Sequence, residues 1–139
     1  MTISIFKRTV CLFAFAYFGL LLSSAGAQER FFEGKTIRVI VGFSAGGGFD
    51  AYSRTIARHL GKHILGNPTV LVENMPGAGS MIAANHSFNQ AKPDGLTIGN
   101  WIGGLVLQQY LGAKGINFDA QKFEWVGSPV RNNNICAFT

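Results

Sequence analysis

One pattern occurs twice in this chain and constrains its fold more than any other feature. An apolar, β-branched run is followed by a glycine-rich loop and then by a helical pattern, first over residues 36–50 and again from residue 69 to residue 80 and beyond. In a parallel sheet, both loops leave the carboxyl edge of their strands, which is where open α/β folds bind ligands. The sequence therefore predicts a binding crevice formed by two loops, before it indicates what the crevice holds.

The spacing of apolar residues predicts the remaining elements. Strands are predicted at residues 36–41, 69–72, 96–100, 123–127 and 135–139, with a turn at 131–134. Helices are predicted from Asp50, as the N-cap, to about residue 64, and at about residues 80–90 and 105–111. In the first helix, the apolar residues that lie four apart on one face are Tyr52, Ile56, Leu60 and Ile64. Strands that alternate with helices and short loops favour an α/β fold, a doubly wound parallel sheet with right-handed crossovers.

The amino terminus has the pattern of a secretory signal peptide. Basic residues precede an apolar run at residues 10–22, which is shorter than the roughly 20 residues that cross a bilayer. Ala25 and Ala27 supply the small residues that a signal peptidase requires. We therefore predict a cleaved signal peptide at residues 1–27 and a periplasmic location, with a retained membrane anchor as the alternative.

Charge and cysteine content limit the function of the remaining chain. Loss of two basic residues with the signal peptide lowers the formal net charge from +5 to +3, and the remaining charges are scattered rather than clustered. This distribution is not that of a nucleic-acid-binding protein. Cys136 is the only cysteine after the signal peptide, so no internal disulfide is expected. Because the chain ends within a strand pattern, we expect it to be truncated or a fragment.

The two glycine loops have the composition of an anion site. Backbone N–H groups of a glycine turn can converge on one point, and the first turn of a helix adds unpaired donors and a positive dipole end. Asp50 would repel an anion at the first helix, whereas the second has no acid nearer than Glu73. We therefore predict that an anionic group binds the second loop while the first closes over its other side; simple tight turns are the alternative. The predicted ligand-binding residues are Ser44, Ala45, Gly46, Gly47, Gly48, Asp50, Gly77, Ala78, Gly79 and Ser80.

A serine hydrolase motif overlaps the first loop. Residues 42–46 match the G-x-S-x-G nucleophile elbow, with Ser44 in the place of the nucleophile. In that elbow the helix begins directly after the serine, whereas here three more glycines intervene. We interpret this match as accidental, and we expect no catalytic residue.

A dinucleotide-binding motif overlaps the same loop and gives the main alternative function, an oxidoreductase. Residues 46–51 match G-x-G-x-x-A, and Glu73 ends the next strand, where a ribose-binding acid would lie. The export signal and the second glycine loop argue against this function. His59 and His63 lie four residues apart, but no acidic ligand is near them, so we expect neither a metal nor a cofactor.

Four motifs, taken together behind a signal peptide, resemble the periplasmic substrate-binding receptors of tripartite tricarboxylate transporters, often called Bug receptors. The first is the strand and glycine loop at residues 37–50, and the second contains Glu73, Asn74 and residues 76–79. The third is the turn at residues 92–95, and the fourth is the Asn-Phe-Asp sequence at 117–119. The chain departs from the family pattern at Phe49, where threonine is common, and at Ser80, where glycine is common.

The resemblance implies a receptor with a two-lobed, periplasmic binding protein-like fold, and we expect it to be a monomer. Such a receptor closes on a small carboxylate-bearing solute and delivers it to membrane transporter subunits without catalysis. In these receptors both loops hold the ligand carboxylate, largely through main-chain amides and bridging water. The resemblance places residues 28–112 in the first lobe, and residues 113–139 in the connection and the beginning of the second. A truncated remnant that does not fold is a further alternative.

Overall fold

The computed structural model describes residues 31–130. The predicted signal peptide, the turn at 131–134 and the strand at 135–139 lie outside these residues. The strands are β1 (Thr36–Val41), β2 (Thr69–Asn74) and β3 (Thr97–Asn100). The helices are α1 (Gly48–Leu60), α2 (Met81–Asn89) and α3 (Gly104–Tyr110), with short 3-10 turns at Gly61–His63, Ala78–Ser80 and Ala120–Lys122.

The three strands form one parallel sheet in the order β2-β1-β3. The last residue of β1, Val41, is in register with Asn74 on one side and with Asn100 on the other, so all three strands end at one edge. The chain moves to one side of β1 and then back across it, and right-handed crossovers therefore place α1 and α2 on opposite faces. The predicted α/β fold with a doubly wound parallel sheet is confirmed.

The core is divided between the central strand and the face that α2 covers. In β1 the side chains of Ile37, Val39, Ile40 and Val41 are all buried, as expected for a strand paired on both sides and covered on both faces. A second cluster contains Ala84 of α2, Leu105 of α3, Phe118 and Ala120. Partly buried apolar side chains pack around it, and they include Met81, Phe88, Trp101 and Phe123. Trp101 thus belongs to the core, with its ring against Gly99.

The predicted strand at residues 123–127 is wrong. These residues form no regular element, and the ring of Phe123 packs against the second core cluster instead. The ring centroid of Phe123 lies 5.2 Å from that of Trp101 and 5.7 Å from that of Phe118. The indole Nε1 of Trp125 donates to the Ala120 carbonyl at 3.1 Å, which holds the segment in this position.

The first helix also differs from its prediction, at its start and in its buried face. It begins at Gly48, with Gly47 as the N-cap, so Asp50 is its third residue and not the cap. It ends at Leu60, and a 3-10 turn continues to His63. The buried residues are Asp50 and Ser53, whereas Ile56 of the predicted apolar face is 42% exposed. Hydrogen bonds of Asp50 and Ser53, described below, turn that side of the helix inward.

The remaining bounds shift by a few residues. The second strand continues two residues past its predicted end, to Asn74, and the third begins at Thr97. Among residues 31–130, the helices are all too short or too polar to span a lipid bilayer.

Candidate functional site

The loops that follow the three strands converge over the end of β1. The Gly42 amide donates to the Asn100 carbonyl at 2.9 Å, and the Met75 amide donates to the Val41 carbonyl at 2.8 Å. Ser80 packs directly on Gly42: a Cβ atom on Gly42 would lie only 2.3 Å from the Cβ of Ser80. The second glycine loop therefore crosses the end of β1, and both loops lie at one edge of the sheet.

The first glycine loop satisfies its own central donors. The Gly46 amide donates to the Asp50 carboxylate at 2.8 Å, and the Gly47 amide makes a longer bond of 3.4 Å to the Ser44 carbonyl. Asp50 is only 4% exposed, whereas residues 44–48 are exposed. The loop thus presents its surface to solvent while two of its amides are already engaged. The carboxylate of Asp50 therefore acts as an internal acceptor for the loop, although Asp50 is not the N-cap of the helix.

Asp50 belongs to a hydrogen-bonded network with Arg54 and Asn74. The Arg54 Nε lies 2.9 Å from the Asp50 carboxylate, and Arg54 Nη2 donates to Asn74 Oδ1 at 2.9 Å. Asn74 Nδ2 donates to Asp50 Oδ1 at 3.0 Å and to the Phe43 carbonyl at 2.9 Å. The network therefore ties the start of the first loop and the start of α1 to the end of β2.

The same network keeps Asp50 ionised. Hydrogen bonds from the Arg54 guanidinium, the Gly46 amide and the Asn74 side chain lower the pKa of Asp50 to about 2. Its negative charge is neutralised locally by Arg54, so it repels an anion at the neighbouring loop less than a free carboxylate would. The spacing of Asp50 and Arg54, four residues apart on a helix, was visible in the sequence. The hydrogen bonds of Asn74 were not visible in the sequence, since they depend on how β2 aligns with β1.

The second glycine loop has a different backbone. Four consecutive residues have positive φ: Gly77 at 135°, Ala78 at 46°, Gly79 at 61° and Ser80 at 70°. For Ala78 and Ser80 this conformation costs on the order of 1 kcal/mol each. Ala78 and Gly79 begin the 3-10 turn, so their amides have no acceptor within it; no other acceptor for them lies among residues 31–130, and both residues are exposed. This loop therefore holds unused donors at the surface, next to the start of α2.

Ser80 holds the strained loop in place. It is 1% exposed, and its hydroxyl donates to the Gly79 carbonyl at 2.6 Å and accepts from the Ile102 amide at 3.1 Å. The hydroxyl thus links the second loop to the loop after β3. It is engaged within the protein, so the predicted role of Ser80 in ligand binding does not extend to its side chain. Neither the burial of Ser80 nor its bond to Ile102 has a signal in the sequence.

Glu73, one of the features that suggested an enzyme, is engaged in another interaction. The two oxygens of Glu73, the candidate ribose-binding acid, accept from Arg38 Nε at 2.8 Å and from Arg38 Nη2 at 2.6 Å. This hydrogen-bonded pair lowers the pKa of Glu73. The Ser44 side chain makes no hydrogen bond with any residue in the part of the chain that the structure describes. Across residues 31–130, no three metal-ligating side chains come together, and His59 and His63 stand without a third ligand.

A surface pocket of about 300 Å³ lies between α1 and β2. It is lined by Arg54, Ala57, Arg58 and residues 70–72. None of these residues belongs to either glycine loop, so the pocket is separate from the site predicted from the sequence.

Comparison with known proteins finds relatives by sequence, although no family model matches the chain. A UPF0065 protein of Cupriavidus necator is 42% identical over 85 residues, which cover 61% of this chain and 25% of that protein. A UPF0065 protein of Bordetella bronchiseptica is 32% identical over 103 residues, or 74% of this chain and 30% of that protein. A third, from Bordetella pertussis, is 39% identical over 83 residues, or 60% of this chain and 25% of that protein. The chain thus spans between a quarter and a third of the curated relatives it matches.

Two solved structures are also similar over part of the chain. One is described as a periplasmic transporter; it is 36% identical with a TM-score of 0.43, and the match covers 48% of this chain and 21% of that one. The other is the periplasmic binding protein BugD, 32% identical with a TM-score of 0.44, and the match covers 49% of this chain and 22% of BugD.

Proposed function

We propose that this chain, a homologue of the UPF0065 proteins known as Bug receptors, forms part of a periplasmic receptor that binds a small carboxylate-bearing solute without catalysis. The solute then passes to the membrane subunits of a tripartite transporter. The chain acts as a monomer, and the signal peptide pattern at residues 1–27 supports its export. Residues 28–112 supply the first lobe of the receptor, and residues 113–139 form the connection and the beginning of the second lobe.

The observation that carries this proposal is that the second glycine loop has backbone amides without acceptors. The amides of Ala78 and Gly79 are exposed and have no acceptor among residues 31–130. Backbone donors beside the start of a helix favour a carboxylate, because the helix dipole adds a positive partial charge there. Glu73, the acid closest in sequence, is paired with Arg38, and Asp50 beside the first loop is paired with Arg54. A negative ligand at this loop therefore meets little uncompensated negative charge.

The first loop contributes a wall to the proposed site, whereas the second contributes donors. Its exposed residues 44–48 stand at the same edge of the sheet, while the Asp50 network fixes their position. A loop that is fixed before the ligand arrives loses little conformational entropy on binding. Ser44, Ala45 and Gly48 thus form one wall of the site, and the second loop provides its donors.

A matched pair of glycine substitutions tests the proposal. Gly79 and Gly95 both have positive φ, at 61° and 75°, and a Cβ atom on either would have no neighbour within 4 Å. Valine at either position therefore strains the backbone without a clash, but only at Gly79 does the side chain enter the proposed site. We expect Gly79→Val to weaken the binding of carboxylates by tenfold or more in calorimetric titrations of the full chain, and Gly95→Val to leave it unchanged. Equal affinities in the two variants would contradict the proposal.

A further inference from the structure

We infer that the solute of this receptor carries an aromatic ring next to its carboxylate, and that Phe49 selects it; this inference rests on the proposed function. The evidence is an aromatic cluster of Phe43, Phe49 and Tyr52. The ring centroids of Phe43 and Phe49 lie 4.3 Å apart, and those of Phe49 and Tyr52 lie 5.3 Å apart. All three side chains are partly exposed, so the cluster presents apolar surface to solvent.

The aromatic cluster borders the proposed carboxylate site. Phe43 begins the first glycine loop, and Phe49 follows its last glycine, so the two rings close the base of that loop. Asn100 Nδ2, at the end of β3, donates to Ser53 Oγ at 2.6 Å, which places the first turns of α1 near the carboxyl end of β3. In a sheet of order β2-β1-β3, the gap between the ends of β1 and β3 is the switch point at which doubly wound folds bind ligands.

The second loop reaches the same place from the other face of the sheet. Ser80 packs on Gly42 and accepts a hydrogen bond from the Ile102 amide, just beyond β3. The unused amides of Ala78 and Gly79 and the aromatic cluster therefore flank one edge. Donors on one side and apolar rings on the other match a ligand with a negative group and an apolar planar body.

The chemistry of the cluster favours an aromatic ring over an aliphatic chain with a second charge. Aromatic rings attract one another in tilted or offset arrangements beyond the effect of the area they bury. A second carboxylate beside Phe49 would lose hydration without gaining a donor from these rings.

The test compares benzoate with succinate in calorimetric titrations of the full chain and of three variants. Phe49→Leu removes the central ring of the cluster, and Tyr52→Leu removes a peripheral one. The matched control is Phe31→Leu: Phe31 also belongs to an exposed aromatic pair, with Phe32 at 4.8 Å, but it precedes β1 and so lies at the opposite edge of the sheet. We expect the unaltered chain to bind benzoate about tenfold more tightly than succinate.

The variants separate selection by the cluster from a general loss of the fold. We expect Phe49→Leu to weaken benzoate binding about tenfold, Tyr52→Leu to weaken it less, and both to retain the affinity for succinate. Phe31→Leu should change neither affinity. If the unaltered chain binds both probes equally, or if Phe49→Leu weakens both alike, the inference is overturned while the proposed function stands. If neither probe nor any other carboxylate binds, the proposed function fails and the inference fails with it.

Discussion

The two glycine loops share one sequence pattern, but their backbone donors are used differently. In the first, the Gly46 amide donates to the carboxylate of Asp50, and Asp50 is in turn held by Arg54. In the second, the amides of Ala78 and Gly79 have no acceptor among residues 31–130, and four consecutive residues have positive φ. The first loop binds a carboxylate of its own chain. The second has two donors that its own chain leaves unused, and we propose that these bind the carboxylate of a solute.

A single acidic residue in the first turn of a helix accounts for much of this difference. Asp50 lies where an external anion would otherwise meet the loop amides and the helix dipole. The first turn of α2 contains no acid, and the buried Ser80 anchors the preceding loop, in which Ala78 and Gly79 are exposed. In the proposed site, similar glycine loops would thus serve as a fixed wall and as a binding surface.

Substitution of Gly42 should have the largest effect, because both loops rest on this residue. A Cβ atom there would lie 2.3 Å from the Ser80 Cβ and 3.1 Å from its Cα, which is backbone and cannot rotate away. We expect Gly42→Ala to lower the free energy of unfolding by about 3 kcal/mol. Urea denaturation measures the loss. Gly104→Ala is the control, because no atom lies within 4 Å of its added Cβ; a similar loss in both variants would contradict this account.

The first loop should be sensitive to acid in a way that the second is not. The pKa of Asp50 is lowered from its ordinary value of 3.8 to about 2 by Arg54, Gly46 and Asn74. A carboxyl with a lowered pKa in the folded state stabilises the protein above its ordinary pKa, and this stabilisation is lost as the pH falls through the folded value. We therefore expect the free energy of unfolding to decrease between pH 3.8 and about 2.

The variant Asp50→Asn tests whether Asp50 causes this acid dependence of the unfolding free energy. It should be less stable than the unaltered chain at neutral pH, and its unfolding free energy should change less over the same acidic range. Denaturant titrations at several pH values give both quantities. An acid dependence that is the same in the two proteins would show that Asp50 does not hold the first loop.

The second loop should depend on the hydroxyl of Ser80. Ser80→Ala removes a bond to the Gly79 carbonyl and the acceptor of the Ile102 amide, at a cost of about 1 kcal/mol. Ser87 provides a matched control, because its buried hydroxyl has no hydrogen-bond partner among residues 31–130. We expect Ser87→Ala to be neutral or slightly stabilising. Thermal or urea unfolding compares the stabilities of the two variants. An equal loss of stability in both would contradict a special role for Ser80.

The sequence predicted the sheet and the position of both loops, because these depend on local patterns. Runs of β-branched residues followed by glycine indicate strand ends, and parallel strands bring those ends to one edge. The buried face of α1 was mispredicted because periodicity finds apolar residues such as Ile56, whereas hydrogen bonds at Asp50 and Ser53 set the orientation of the helix. The apolar pattern at residues 123–127 indicated a strand, but Phe123 packs on a core that only the folded chain creates.

The difference between the loops could not be predicted in full. The sequence indicated that Asp50 would disfavour an anion at the first loop, and the structure adds the atoms involved. Asn74 and Ser80 gain their importance from tertiary contacts: Asn74 from its alignment with Val41, and Ser80 from the crossing of the second loop over Gly42. No spacing in the sequence encodes either contact.

The most direct test of the central claim follows the backbone amides of both loops by nitrogen–proton correlation NMR during titration with benzoate. We predict that the amide signals of Ala78 and Gly79 move with ligand concentration as they form hydrogen bonds, while the amide of Gly46, bonded to Asp50 at 2.8 Å, stays close to its starting position. Saturable shifts confined to the first loop, or no shift in either loop at any concentration of carboxylate, would contradict the account.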